Sequence, residues 1–157
     1  MDYIKFTENL AKGKIAELIF AQMLRETENF TILSFGYESV LPELASRQSV
    51  IRSEETMEII RRAPDFAVIN NENHEVHLIE VKYMKHITAE KVYQSAKLIY
   101  ESWKPSYLFI CTPEGFFYDR VKDIVEKKGK ITPFGYAYIS EEAQKKYTSL
   151  LNKFICP

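Results

Sequence analysis

Residues 64–82 read PDFAVINNENHEVHLIEVK, and their pattern decides the fold. Two apolar runs, 64–69 and 75–82, flank the polar tetrad Asn70-Asn71-Glu72-Asn73. Strand-forming runs joined by a short polar turn predict a β-hairpin. Side chains alternate between the two faces of a strand. In the second run Val76, Leu78, Glu80 and Lys82 therefore share one face, and His77, Ile79 and Val81 share the other. Asp65 opens the first run directly after Pro64. In a hairpin turning near Asn71-Glu72, Asp65 and Glu80 fall near the same end. Two carboxylates and one ammonium are thus expected together at a sheet edge.

Upstream of the hairpin, residues 7–28 have helical spacing, with Thr7 as the expected cap. This helix is apolar almost all round, which predicts burial on two sides. Residues 30–35 read as a strand ended by Gly36. Residues 37–63 are irregular, with a short helix expected after Ser53, where Ser-Glu-Glu favours a helix start. Downstream, residues 88–103 read as a helix capped by Thr88, with Val92, Ala96, Ile99, Tyr100 and Trp103 on one stripe and Pro105 beyond its end. Residues 107–111 form an apolar strand, 119–128 a short helix, 136–139 a last strand, and 141–151 a helix capped by Ser140. A hairpin followed by a helical crossover to an apolar strand implies an α/β fold. Its sheet is mixed, has four or more strands and is flanked by helices.

The 157 residues fit one domain, with a core over about 7–112 and a helical and strand extension over 113–157. Hydrophobic residues are 46% and charged residues 27%, enough to build a core without covalent staples. The formal net charge is -1, so any attraction to nucleic acid must rest on local clusters of Lys and Arg. Cys111 and Cys156 lack CxxC spacing, which gives no zinc or redox motif, and Cys111 reads as a small core residue. Residues 1–9 are charged and carry no signal-peptide pattern, and no apolar stretch has the length of a membrane span. A reducing cytoplasm, away from membranes, is the expected location.

Two carboxylates at one site repel each other unless a cation sits between them. Hard oxygen ligands without His or Cys suit Mg²⁺, with Mn²⁺ able to substitute. Such an ion can polarise a phosphodiester and activate water. Lys82 is placed to orient that water or to neutralise charge on the phosphoryl group. In the first helix Glu17 lies beside Leu10, Ala21 and Leu24. An acid in an apolar stripe is costly unless paired or metal-linked. Two outcomes stay open for it: contact with the metal, directly or through water, or a pair with Lys14. Arg61, Arg62, Lys85 and Lys91, together with Arg47 and Arg52, flank the acids in sequence. They form either a patch that holds phosphates or scattered solubilising charge. Gln94 shares a polar helix face with Lys91, Lys97, Leu98 and Glu101, and reads as solvated. His74, His77 and His86 do not share a face at ligand spacing. Taken singly, Asp65 is an ordinary strand-start acid, and Glu80 with Lys82 is an edge-strand salt bridge. Taken with Glu17, the catalytic arrangement outweighs those separate readings.

Pro64-Asp65, with Asp65 fifteen residues before Glu80 in Glu80-Val81-Lys82, resembles the PD-(D/E)xK signature. The order of elements over residues 10–111 is similar to that nuclease superfamily as well. Its members include restriction endonucleases, archaeal Holliday-junction resolvases and exonuclease domains of recombination helicases. The resemblance implies a restriction-endonuclease-like fold. It also implies Asp65 and Glu80 as metal ligands, the Val81 carbonyl as a further ligand, Lys82 as the catalytic lysine and Glu17 as the first-helix acid. Gln94 resembles a glutamine found after the lysine in some exonuclease-like members, on the substrate side. The expected activity is Mg²⁺-dependent hydrolysis of DNA, by an endonuclease that pairs as a homodimer, with RNA left open. A junction resolvase is the nearest rival within the class. Outside it, the alternative is a nuclease-fold module that binds nucleic acid or a protein without cutting. A purely structural interaction domain has no positive feature in its favour. Residues after 111 resemble nothing specific.

Overall fold

The hairpin read from residues 64–82 is the middle of the sheet. The computed structural model describes residues 2–37 and 54–155. In chain order these form α1 (Tyr3–Glu26), β1 (Phe30–Ser34), α2 (Glu54–Arg61), β2 (Phe66–Asn70) and β3 (Val76–Tyr83). They continue with α3 (Ala89–Ser102), β4 (Ser106–Thr112), β5 (Gly115–Arg120), α4 (Val121–Glu126) and α5 (Glu141–Ile155). Ser53, Arg47, Arg52 and Cys156 lie outside the described residues.

The sheet runs β1-β2-β3-β4-β5. The β3–β4 pair is parallel, and the other pairs are antiparallel. The fold is therefore α/β with a mixed sheet flanked by helices, as the sequence pattern predicts. Asn70 closes the β2–β3 turn, its side-chain oxygen accepting from the amides of Glu72 and Asn73 at 2.9 and 3.4 Å. The helical crossover α3 between β3 and β4 makes that pair parallel. β3 is consequently the central strand and not an edge strand, and Glu80 and Lys82 sit toward its C-terminal end.

One face of the sheet is covered by α1 and α5. Ala16, Ile19, Phe20 and Met23 pack there with Ile79, Val81, Phe109 and Cys111. The other face is covered by α3 and α4, with Val92, Ala96 and Ile99 against Leu108, Ile110 and Ile124. Each fully buried large side chain contributes roughly 1.5–3 kcal/mol. Gly129 seats the end of α4 against the start of α3. Its φ is +94°, and a Cβ there would lie 1.9 Å from the Ala89 carbonyl oxygen, so only glycine fits.

Four sequence expectations are corrected. Asp2 caps α1 in place of Thr7, its carboxylate accepting from the amides of Ile4 and Lys5, both at 3.1 Å. Thr7 lies inside the helix and donates to the Tyr3 carbonyl at 2.8 Å. α1 is not buried on two sides: Leu10 and Leu18 are 55% and 69% exposed, and burial is confined to one face of the second half. The helix expected over 119–128 begins only at Val121, because Gly115–Arg120 pairs with β4 as a fifth strand. Thr112 makes the turn into it, accepting from the amides of Glu114 and Gly115. Residues 136–139 form a turn and not a strand. There the Gln144 side chain donates to the carbonyls of Gly135 and Ile139, supplying bonds a ladder would otherwise make. Ser140 does cap α5, accepting from the Ala143 amide at 3.2 Å. Among the described residues no helix is long and apolar enough to cross a membrane.

Candidate functional site

β2 begins at Phe66, paired with Ile79, so Asp65 stands one step before the ladder and level with Glu80. The Asp65 side chain takes the place of the missing strand residue: the Val81 amide donates to its Oδ2 at 2.8 Å. Its own carbonyl accepts from the amides of Phe35 and Gly36 at 2.9 and 3.2 Å. Gly36 lies beside it, and a Cβ there would make ordinary contact with the Asp65 Cα at 3.4 Å and Oδ1 at 3.8 Å. Pro64, fully buried, precedes this point. It lacks a donor and disfavours helix in Ala63, which ends α2's turn and turns the chain into β2. Asp65 is thus anchored on two sides by backbone.

Glu80 extends from β3 with its side chain 15% exposed, and Lys82 Nζ lies 3.2 Å from its Oε1. Burial first, and then the charge of Glu80, push the Asp65 carboxyl up to about 7. The Val81 amide, Lys82 and Lys14 pull in the opposite direction. Glu80 is also raised, mainly by burial and further by Glu17, with Lys82 and a hydrogen bond to Asp65 opposing. Two buried carboxyls in contact cannot both ionise cheaply, so the pair favours sharing a proton or gaining a cation.

Of the two outcomes foreseen for Glu17, the pair with Lys14 is the one observed, at 3.3 Å. The Glu17 charge also acts on Glu80. Among the described residues no three His, Cys, Asp or Glu side chains converge as a metal-holding group.

Two open clefts meet at the carboxylates, and Asn9, Gly13, Glu17, Asp65 and Glu80 border both. Arg61 and Arg62 line the first. Arg61 is bonded to Glu58 at 3.2 Å, and Arg62 contacts Glu58 at 3.7 Å and Glu101 at 3.4 Å. Lys85, Lys91 and Gln94 are exposed along the second, with Lys12, Val81 and Lys82. The predicted residues therefore separate into a cluster of Asp65, Glu80, Val81 and Lys82 with Glu17 beside it, and two flanking walls. His77 is remote in role: its Nδ1 is 3.0 Å from the Tyr118 hydroxyl and its ring stacks on Tyr107.

Asn9, Lys12 and Gly13 were not foreseen. Asn9, Gly13 and Glu17 repeat every four residues, and that stripe on α1 was the available signal.

No protein-family model matches this chain, and no curated protein matches it.

Proposed function

We propose that this chain is a Mg²⁺-dependent deoxyribonuclease of the PD-(D/E)xK type, cutting DNA internally, with Asp65 and Glu80 holding the ion and Lys82 as the catalytic lysine. One observation carries the proposal. Asp65 and Glu80 stand side by side, each raised by burial, with Lys82 3.2 Å from Glu80 at the junction of two open clefts.

The donor set suits Mg²⁺, which is usually bound by one or two carboxylates, with water and substrate phosphate oxygens completing its shell. A strand residue turns its N–H and C=O to the same neighbour. The Val81 amide bonds Asp65, so the Val81 carbonyl faces that side too. When bound, the ion supplies positive charge that polarises the phosphate and activates water.

The chain's own groups do the rest. The backbone bonds to Asp65 fix its carboxylate before substrate arrives, which removes a reorganisation cost. Lys82, 44% exposed, reaches the cleft with its ammonium and holds positive charge where the phosphoryl group gains negative charge. Lys85, Lys91 and Gln94 contact the DNA backbone along one wall, and this contact weakens with salt. Arg61 and Arg62 are already bonded to acids and contribute less to binding.

The test is a panel of linear, nicked, flapped and four-way DNA and RNA, incubated with purified protein and Mg²⁺ or Mn²⁺. Cleavage that EDTA abolishes supports the reading, and the preferred member of the panel separates a resolvase from a simple endonuclease. A gel shift with no cleavage under either metal would replace it with a binding module.

A further inference from the structure

We infer that one strand of the substrate crosses α1 at Gly13, passing from the cleft of Lys12, Lys85 and Lys91 to that of Arg61 and Arg62 over the Asp65–Glu80 pair. The inference rests on the nuclease reading and gives the route the nucleic acid takes.

Gly13 lies in the interior of a 24-residue helix, where glycine is less favourable than alanine. Glycine persists in helices for two usual reasons, and neither holds here. Its φ is not positive, unlike those of Gly115 and Gly129. Among the described residues no neighbour requires its small size, since a Cβ on it would meet nothing within 4 Å. The described residues therefore give no packing reason for glycine at this position. Its location supplies one. Gly13 borders both clefts, one turn after Asn9 and one turn before Glu17. A missing side chain there leaves a saddle in the ridge that α1 would otherwise raise between the clefts.

Charge gives the crossing a direction. Lys12, Lys85 and Lys91 line one cleft and have no ion pair among the described residues, and Glu90 is an exposed acid of that wall. Across the saddle, Arg61 and Arg62 are bonded to Glu58 and Glu101. Unpaired ammonium groups gain more from phosphate than guanidinium groups that must first give up a carboxylate. The strand is gripped on the lysine side, lies over the carboxylates and leaves across the saddle on the arginine side.

Gly13→Ala and Gly13→Leu test this, read by three measurements. These are melting temperature, anisotropy of a fluorescein-labelled single-stranded DNA oligonucleotide in Ca²⁺, and cleavage of the same oligonucleotide in Mg²⁺. Both variants should melt at or above wild type, since each improves helix propensity. Alanine should bind nearly as wild type, whereas leucine should weaken binding and slow cleavage roughly tenfold or more by steric overlap with the strand. If leucine lowers the melting temperature, Gly13→Met decides. A large side chain that leaves melting, binding and cleavage at wild-type values overturns the crossing. A loss of melting temperature in all three variants also overturns it, because Gly13 would then be a packing residue. Wild-type protein that neither binds nor cuts the oligonucleotide or any of the panel DNAs fails the nuclease reading itself, whereas wild-type cutting with unaffected variants fails only the crossing.

Discussion

Strand β3 carries ionisable side chains toward both ends, and their surroundings differ. Near its start His77 lies among rings, stacked on Tyr107 at 4.2 Å and bonded to the Tyr118 hydroxyl. A cavity of about 60 Å³ next to it is walled by Phe30, Phe109, Phe134 and Tyr138. Burial pushes the His77 pKa down and the Tyr118 hydroxyl up, so both groups are held neutral and satisfy each other. Near its end Glu80 meets Asp65 beside an open cleft of about 980 Å³. There burial also acts on the acids, but no neutral partner resolves the conflict; Lys82 and Lys14 only offset it. The difference teaches how to separate structural polar groups from functional ones. A buried polar pair whose demands are mutually met needs no ligand. A buried pair of like groups in conflict, open to solvent on one side, is a place where a ligand gains free energy.

Lys82 should give the largest effect. Lys82→Ala removes positive charge from the cleft without touching the backbone bonds that hold Asp65. Cleavage should fall on the order of a hundredfold or more, by analogy with the loss of other transition-state donors. DNA affinity should change little, since one phosphate contact among several carries only part of it. Single-turnover rates measured beside equilibrium binding check both statements. An unchanged rate would reduce Lys82 to a salt-bridge partner of Glu80.

The conflict at Asp65 should be visible without any substrate. Its carboxyl titrates at about 7 in the folded protein, raised above its ordinary value. A raised carboxyl favours folding below its unfolded pKa, and that contribution is lost as pH rises toward the folded value. Metal-free protein should therefore lose stability between about pH 4 and pH 7 through this group. Asp65→Asn keeps an acceptor for the Val81 amide and removes the ionisation. At pH 8 it should stabilise the metal-free fold by about 2 kcal/mol while abolishing cleavage. Mg²⁺ should raise the melting temperature of wild type and not of the variant. Urea titrations across pH test the sign, and a variant less stable than wild type at pH 8 would refute the conflict.

Glu17 is intermediate in expectation because it faces both ways, paired with Lys14 and acting on Glu80. As an outer neighbour of the proposed metal ligands, Glu17→Gln should lower metal affinity or cleavage by about tenfold. The half-exposed pair with Lys14 is worth about 0–1 kcal/mol, so stability should move little. Identical Mg²⁺ titration curves for variant and wild type would leave Glu17 as Lys14's partner alone.

How far these contrasts were legible beforehand follows from what each residue does. Asp65, Glu80 and Lys82 were legible because a strand's two-residue period and a short turn bring them to one place with little freedom. β5 was not, because it is covered on both faces. Phe116 belongs to the core under α1 and Phe117 packs against the core under α3, so its aromatics do not alternate with polar residues. Residues 136–139 misled in the opposite sense: their apolar, aromatic residues suggest a strand, but Tyr136, Ala137 and Tyr138 are exposed in a row, only Ile139 is buried, and a side-chain amide stands in place of a ladder. The start of α1 gave no burial signal, since residues 3–10 are all exposed. Gly13 was harder to read for a different reason: the four-residue stripe with Asn9 and Glu17 marks its face of α1, but its value lies in a missing side chain, and only the fold reveals what that space adjoins.

The smallest effect is expected at His77, and it sharpens the comparison from the satisfied end of β3. His77→Gln preserves a polar atom toward the Tyr118 hydroxyl and removes the ring stacked on Tyr107. At pH 8 it should cost about 1 kcal/mol or less, the size of one exchanged hydrogen bond and part of one stacking contact. The sign of the pH dependence is opposite to that of Asp65. The folded His77 pKa lies below its ordinary value, with burial as the main cause. Between the two values the unfolded chain binds the proton more readily, so wild type loses stability as pH falls below about 6.5. Glutamine does not titrate, and the gap between wild type and variant should therefore narrow as pH drops. Cleavage at neutral pH should be unchanged, because His77 is neutral there and faces the aromatic cavity instead of the carboxylates. A tenfold loss of cleavage in a variant that melts within a few degrees of wild type would break the division of β3 into a structural start and a functional end.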